Sequence, residues 1–215
     1  MLKDSKFLAL AAGIAVVACS TPDAQTDGRG GATSAPAAAV SASAQTDCTA
    51  GPGTVLTGAG VAGIRIREDA GKVRHRCNVV ADTTLTIEGQ SQPAIKIALD
   101  GDTIIAEIVN DQIWRITVAS PGLATSDSLR VGTPARQLAA IPGATVSPGE
   151  GNYYVFLPEH CGLSFGLDGL PVRTQPWTIA DLATLPDSAR VAKILITGSC
   201  HDENGNVRIL WDTAG

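Results

Sequence analysis

The chain has 215 residues, with 16 Lys and Arg against 21 Asp and Glu, a formal net charge of −5 and 4% aromatic residues. Mild acidity without a basic stripe argues against nucleic-acid binding, which rests on Lys and Arg meeting phosphates. So few aromatics also argue against an extended stacking platform for sugars or single strands.

The N-terminus reads Met1-Leu2-Lys3-Asp4-Ser5-Lys6, then an apolar run from Phe7 to Val17, then Ala18-Cys19-Ser20. A cationic start, an apolar stretch of about 7–15 residues and a small residue before the cut describe a secretory signal. The run is too short to span a bilayer core, which needs about 20 apolar residues. Val16-Val17-Ala18-Cys19 resembles the lipobox of bacterial lipoproteins. The resemblance implies cleavage before Cys19, a diacylglyceryl group on its thiol and a further acyl chain such as palmitate on the freed amine. A thiolate is the nucleophile such an alkylation needs. Each buried methylene adds about 0.8 kcal/mol, so several acyl chains hold the protein on a membrane. Ser20 stands where the inner-membrane retention signal of these lipoproteins would place Asp, which implies the outer membrane, facing the periplasm. Loss of residues 1–18 removes Lys3, Lys6 and Asp4, leaving 14 basic and 20 acidic groups, or −6.

Apart from Cys19, Arg29 and Val40, residues 19–47 are Ala, Ser, Thr, Pro, Gly, Gln and Asp, with no aromatic residue. Such a segment cannot bury enough apolar area to offset its ordering entropy, so a disordered linker is expected. Its end-to-end distance would be roughly 30 Å. Residues 48–215 suit one globular domain. Cys48, Cys77, Cys161 and Cys200 remain, and an even number in an exported chain predicts two disulfides. Three pairings exist. Cys48–Cys77 with Cys161–Cys200 is preferred, because each closes a loop within one half of the domain.

The expected fold is mainly β (α+β): an antiparallel meander and hairpin sheet with one or two short helices. Ile95, Ile97 and Leu99 alternate with Lys96 and Ala98, a strand with one buried face. Asp100-Gly101 then separates it from a strand at 103–109, and Asn110-Asp111 from another at 113–118, giving a three-strand meander. Further strands are expected at 64–66, 73–80, 84–87, 153–157 and 163–167. A C-terminal hairpin is expected to pair 191–197 with 207–211 around Asn204-Gly205. Thr133 caps a predicted helix to Ile141 with Pro134 at its first position, and Thr178 caps another that stops before Pro186. From Ile113 to Ile141 the chain is similar to a module of uncharacterised bacterial envelope proteins, in which a valine-glycine step, here Val131-Gly132, ends a strand and launches a helix. That resemblance implies architecture and no activity.

Glu159-His160-Cys161 and Cys200-His201-Asp202 together suggest zinc, but neighbours on a strand face opposite ways and the close ligand pairs of structural sites are missing. No metal or cofactor is therefore expected, and disulfide bonding disarms either cysteine as a nucleophile. His75, His160 and His201 read as surface histidines. Asp202–Asn206 and Asp100-Gly101-Asp102 fail the spacing of a calcium loop. Trp114 and Trp211 read as core, whereas Trp177, Tyr153 and Tyr154 form the expected contact surface, one tyrosine buried and its neighbour free.

The sequence thus predicts a non-enzymatic envelope lipoprotein, held by the lipid on Cys19, whose β-domain is structural or binds an envelope protein partner. An acidic inhibitor of a basic wall-degrading enzyme is one form of that reading. The alternatives are a small periplasmic hydrolase or thiol-redox enzyme, and a small-molecule carrier.

Overall fold

The structure, a computed structural model, describes residues 48–51, 53–201 and 207–210. The expected signal peptide, Cys19, the expected linker, Asn204-Gly205 and Trp211 lie outside these residues.

A two-strand arm, β1 (Gly60–Val61) and β2 (Ile64–Arg65), precedes helix α1 (Ala70–Arg76). Four strands follow in a meander: β3 (Val79–Ile87), β4 (Gln90–Leu99), β5 (Asp102–Val109) and β6 (Gln112–Val118). Helix α2 (Ala135–Ala139) lies in the long connection to a second meander, β7 (Thr145–Gly149), β8 (Asn152–Phe156), β9 (Leu163–Asp168) and β10 (Arg190–Ile196). A 3-10 turn (Pro158–His160) separates β8 from β9, and helix α3 (Ile179–Leu182) separates β9 from β10. The meanders join where β10 pairs with β6, making one antiparallel sheet of eight strands in the order β3-β4-β5-β6-β10-β9-β8-β7. The mainly β fold expected from the sequence is what forms.

Local chemistry explains the meander. Leu99 pairs with Asp102 around Asp100-Gly101, and Val109 with Gln112 around Asn110-Asp111. All four turn residues have positive φ, as in the two-residue turn that matches strand twist. One sheet face carries Ile95, Ile97, Leu99, Ile104, Ile116, Phe165, Ile194 and Ile196, all fully buried. Ala70 and Val73 of α1, Leu138 of α2, Leu182 of α3 and Trp177 close over that face in one cluster.

Four expectations are corrected. The expected strand at 73–80 is largely α1: Asp69 caps it by accepting the Lys72 N–H, and Ala70, Val73 and Cys77 fall at helical spacing on the buried side. Strand 191–197 does not form the C-terminal hairpin, because β6 and β9 occupy both its edges; β12 (Val207–Ile209) pairs instead with β11 (Ser199–His201). Thr133 does not cap α2, because its hydroxyl accepts the Arg130 N–H, and the helix starts after Pro134. The Val131-Gly132 step follows an isolated bridge at Arg130, not a strand. Gly132 does adopt φ +94°, a region costly for any side chain. Thr178 caps α3 as expected, through a capping box with Asp181.

The preferred cysteine pairing holds. Cys48 is bonded to Cys77 and Cys161 to Cys200, each with Cα atoms 5.1 Å apart.

Candidate functional site

Three β-bulges bend the sheet. On β6, Glu107 faces Arg115 but Ile108 faces Ile113, so Trp114 is the extra residue. A bulge shifts side-chain alternation by one position. It turns Ile113 into the core and leaves Trp114 49% exposed, which corrects its expected burial. On β10 the shift falls between Val191 and Lys193, sending Val191 to the core and Lys193 to the opposite face. The third lies between Val79 and Ala81 on β3.

The second face therefore receives Glu107, Arg115, Thr117, Lys193, Leu195 and Tyr154. It curls into a trough of about 480 Å³, reached both by Glu88 in the β3–β4 turn and by Glu150 in the β7–β8 turn, near opposite edges of the sheet. Arg115 is its centre. Its Nε donates to Glu107 Oε1 at 2.7 Å, and its Nη1 donates to Glu150. Glu107 is only 2% exposed, Arg115 14% and Glu150 28%. Burial alone would lower the Arg115 pKa, but the bonds and charges of Glu107 and Glu150 outweigh it and hold the guanidinium above its ordinary value. Lys193 Nζ lies 5.3 Å from the centre of the Tyr154 ring. Gly166 pairs with both residues across the sheet, and a Cβ there would come within 3.0 Å of the ring and 2.9 Å of the lysine chain. The arrangement thus needs a residue without a side chain at that position.

Of the expected contact residues, Tyr154 is buried on this face beside Lys193 at 4% exposure and Tyr153 is half-buried against the core. Trp177 is corrected: it is 9% exposed and belongs to the core. Arg173 lies 4.0 Å above its ring and donates to Asp181 at 2.7 Å, closing the segment over it. Among described large side chains, Trp114 and Phe156 are the exposed aromatics.

A second polar cluster lies beside the Cys161–Cys200 bridge. His160 Nε2 is 3.0 Å from Asp127 Oδ2, and Thr125 donates to Asp127 Oδ1. The imidazole packs edge-on against Phe165 and is 13% exposed, so His160 is not the surface histidine expected; His75 is exposed. Burial raises the Asp127 pKa, but the bonds from Thr125 and His160 and the histidine charge reverse that and hold it below the ordinary carboxylate value. The order is hydroxyl, carboxylate, imidazole. A nucleophile relay needs the hydroxyl on the imidazole. Among the described residues no group of three His, Cys, Asp or Glu is placed to hold a metal ion.

Sequence reasoning missed Glu107, Arg115, Glu150 and Lys193. Counting back from the Asn110-Asp111 turn pairs Glu107 with Trp114, and only the bulge replaces that partner with Arg115. The available signal was Glu107 itself, a charge inside an otherwise apolar strand.

No family model matches the chain, and no curated protein matches it. Among solved structures it is similar to the crystal structure of the uncharacterized protein yfeY from Escherichia coli, with a TM-score of 0.51 and 14% identity over 67% of this chain and 99% of that one. The two share a β-fold.

Proposed function

We propose that this protein is an outer-membrane lipoprotein, cleaved before Cys19 and facing the periplasm, whose β-domain binds a partner protein through the curled sheet face and performs no catalysis. Residues 19–47 serve as the tether. The two disulfides suit an oxidising, envelope-type compartment. Among the described residues, no helix is long and apolar enough to cross a membrane.

The binding reading rests on one observation: Arg115 fixed between Glu107 and Glu150 on the face that the helices leave uncovered. Charges already locked in place lose little freedom when a partner docks, and their pattern selects the partner's register. The non-catalytic reading is supported by bonded thiols and by a histidine whose carboxylate, not its imidazole, receives the nearby hydroxyl.

Two experiments test this. Cys19→Ala should remove the protein from envelope fractions washed in roughly 1 M salt, where the Debye length is about 3 Å, and should alter its electrophoretic mobility. Unchanged fractionation and mobility end the anchoring reading. A photo-crosslinker at Thr117 should give a discrete adduct in the native envelope that Lys193→Glu abolishes; no adduct, or one indifferent to Lys193→Glu, ends the binding reading.

The trough volume of about 480 Å³ also favours a second reading, a small-molecule carrier, since ligand pockets run from about 300 to 1,000 Å³. Native mass spectrometry of envelope-purified protein would then show a bound mass.

A further inference from the structure

The net acidity of the chain hides a local reversal. Between Ile64 and Arg76 stand Arg65, Arg67, Lys72, Arg74 and Arg76 against Glu68 and Asp69, five positive charges against two negative, or +3. The fold turns Arg65, Arg67, Lys72 and Arg74 outward, Arg74 against Asp82 at 2.5 Å, while Arg76 is half-buried against Glu68. Ile64 and Ile66 are buried while Arg65 and Arg67 are exposed, at strand period; Ala70 and Val73 are buried while Lys72, Arg74 and His75 are exposed, at helix period. Arg65, Arg67, Lys72 and Arg76 line one groove of about 1080 Å³ between the β1–β2 arm and α1.

Both carboxylates of the groove are already engaged. Glu68 accepts from Arg76 at 2.7 Å and from the Arg65 backbone N–H at 3.1 Å. Asp69 caps α1 by accepting the Lys72 N–H at 2.8 Å. The side chains of Arg65 and Lys72 have no ion-pair partner among the described residues. The groove also has a fixed place in the chain. Arg76 Nη1 lies 3.3 Å from the sulfur of Cys48, the first described residue, so the basic surface sits where the segment from Cys19 joins the domain.

We propose that this groove is a membrane-facing surface that takes the phosphate groups of an anionic lipid bilayer. The proposal builds on the anchoring reading, because the tether brings this end of the domain within reach of the bilayer; the attraction itself needs no acyl chain. Each cation near an anionic surface strengthens partition about five-fold.

The test uses the mature chain carrying Cys19→Ala, exported behind an ordinary cleavable signal so that both disulfides form. It should co-sediment with vesicles of phosphatidylcholine mixed with phosphatidylglycerol, and not with phosphatidylcholine alone. Arg65→Gln with Lys72→Gln should weaken that partition by about 25-fold. Arg136→Gln on α2, where the cation pairs with Asp187, should leave it unchanged. Equal partition to both vesicles, or equal losses from the two sets of variants, would overturn the proposal. So would displacement by inorganic phosphate at matched ionic strength, which would indicate a small-anion site. A failure of anchoring would show separately, as unchanged mobility of the Cys19→Ala chain in cells.

Discussion

Replacing Arg115 with Met removes the partner of a carboxylate that is almost wholly buried. Glu107 is 2% exposed and its described side-chain partner is Arg115 Nε, at 2.7 Å. Removing one member of a buried ion pair costs about 3–5 kcal/mol, because the other charge is left desolvated. In a domain of this size each kcal/mol shifts Tm by about 2–4 °C, so the variant should melt roughly 6–20 °C lower. Glu150 is 28% exposed and regains water, so Glu150→Gln should cost no more than about 1 kcal/mol. Glu107→Leu combined with Arg115→Met removes both charges and places apolar atoms beside Ala94 and Leu195, which are also buried on this face. That double variant should recover to near wild-type stability or exceed it. Urea unfolding of wild type, Glu107→Leu, Arg115→Met and the double variant closes the thermodynamic cycle. If Arg115→Met unfolds within about 1 kcal/mol of wild type, or the double variant is the least stable, the charge is not sealed from water and the reasoning fails.

Three further outcomes follow from the same geometry. Replacing both cysteines of a bridge by Ala should cost about 3.6 kcal/mol for Cys48–Cys77 and about 3.9 kcal/mol for Cys161–Cys200, from separations of 29 and 39 residues, read as shifts in denaturation midpoint. Trp177→Ala should cost about 3–5 kcal/mol and Trp114→Ala less than about 0.5 kcal/mol, and acrylamide should quench Trp114 fluorescence before that of Trp177. Bonds from Arg173 and Thr178 depress the Asp181 pKa, the bond from Arg136 depresses that of Asp187, and Thr125 and His160 depress that of Asp127 against its burial. The unfolded chain then binds more protons than the folded one, so this stability is full above the ordinary Asp value of about 3.9 and is lost as pH falls through the lower folded values. Urea midpoints measured from about pH 6 to pH 2 should fall, and Asn at these three positions should flatten the slope.

Local physics was legible wherever it acted alone. The Asp100-Gly101 and Asn110-Asp111 turns, the inward set Ile95, Ile97 and Leu99, and the cap at Thr178 each follow from neighbours in sequence, and all three formed. The stretch at 73–80 misled because Val73, Val79 and Val80 favour strand, while a cap at Asp69 and apolar positions at Ala70, Val73 and Cys77 favour helix. Packing of that apolar side against the core chose the helix. Val207–Ile209 misled because its turn signal named a hairpin without naming the first strand, and β10 was already bordered on both sides.

The sequence by itself determined the β-rich character, the meander and the halves within which cysteines pair, since each depends on side-chain period or chain distance. Tertiary structure alone decided which aromatic is buried, which cation meets Glu107 and where the basic side chains converge. The reason is the bulge and the sheet curl. One extra residue inverts the alternation of everything beyond it, and the register that forces the extra residue is set by a partner strand rather than by the segment that carries it.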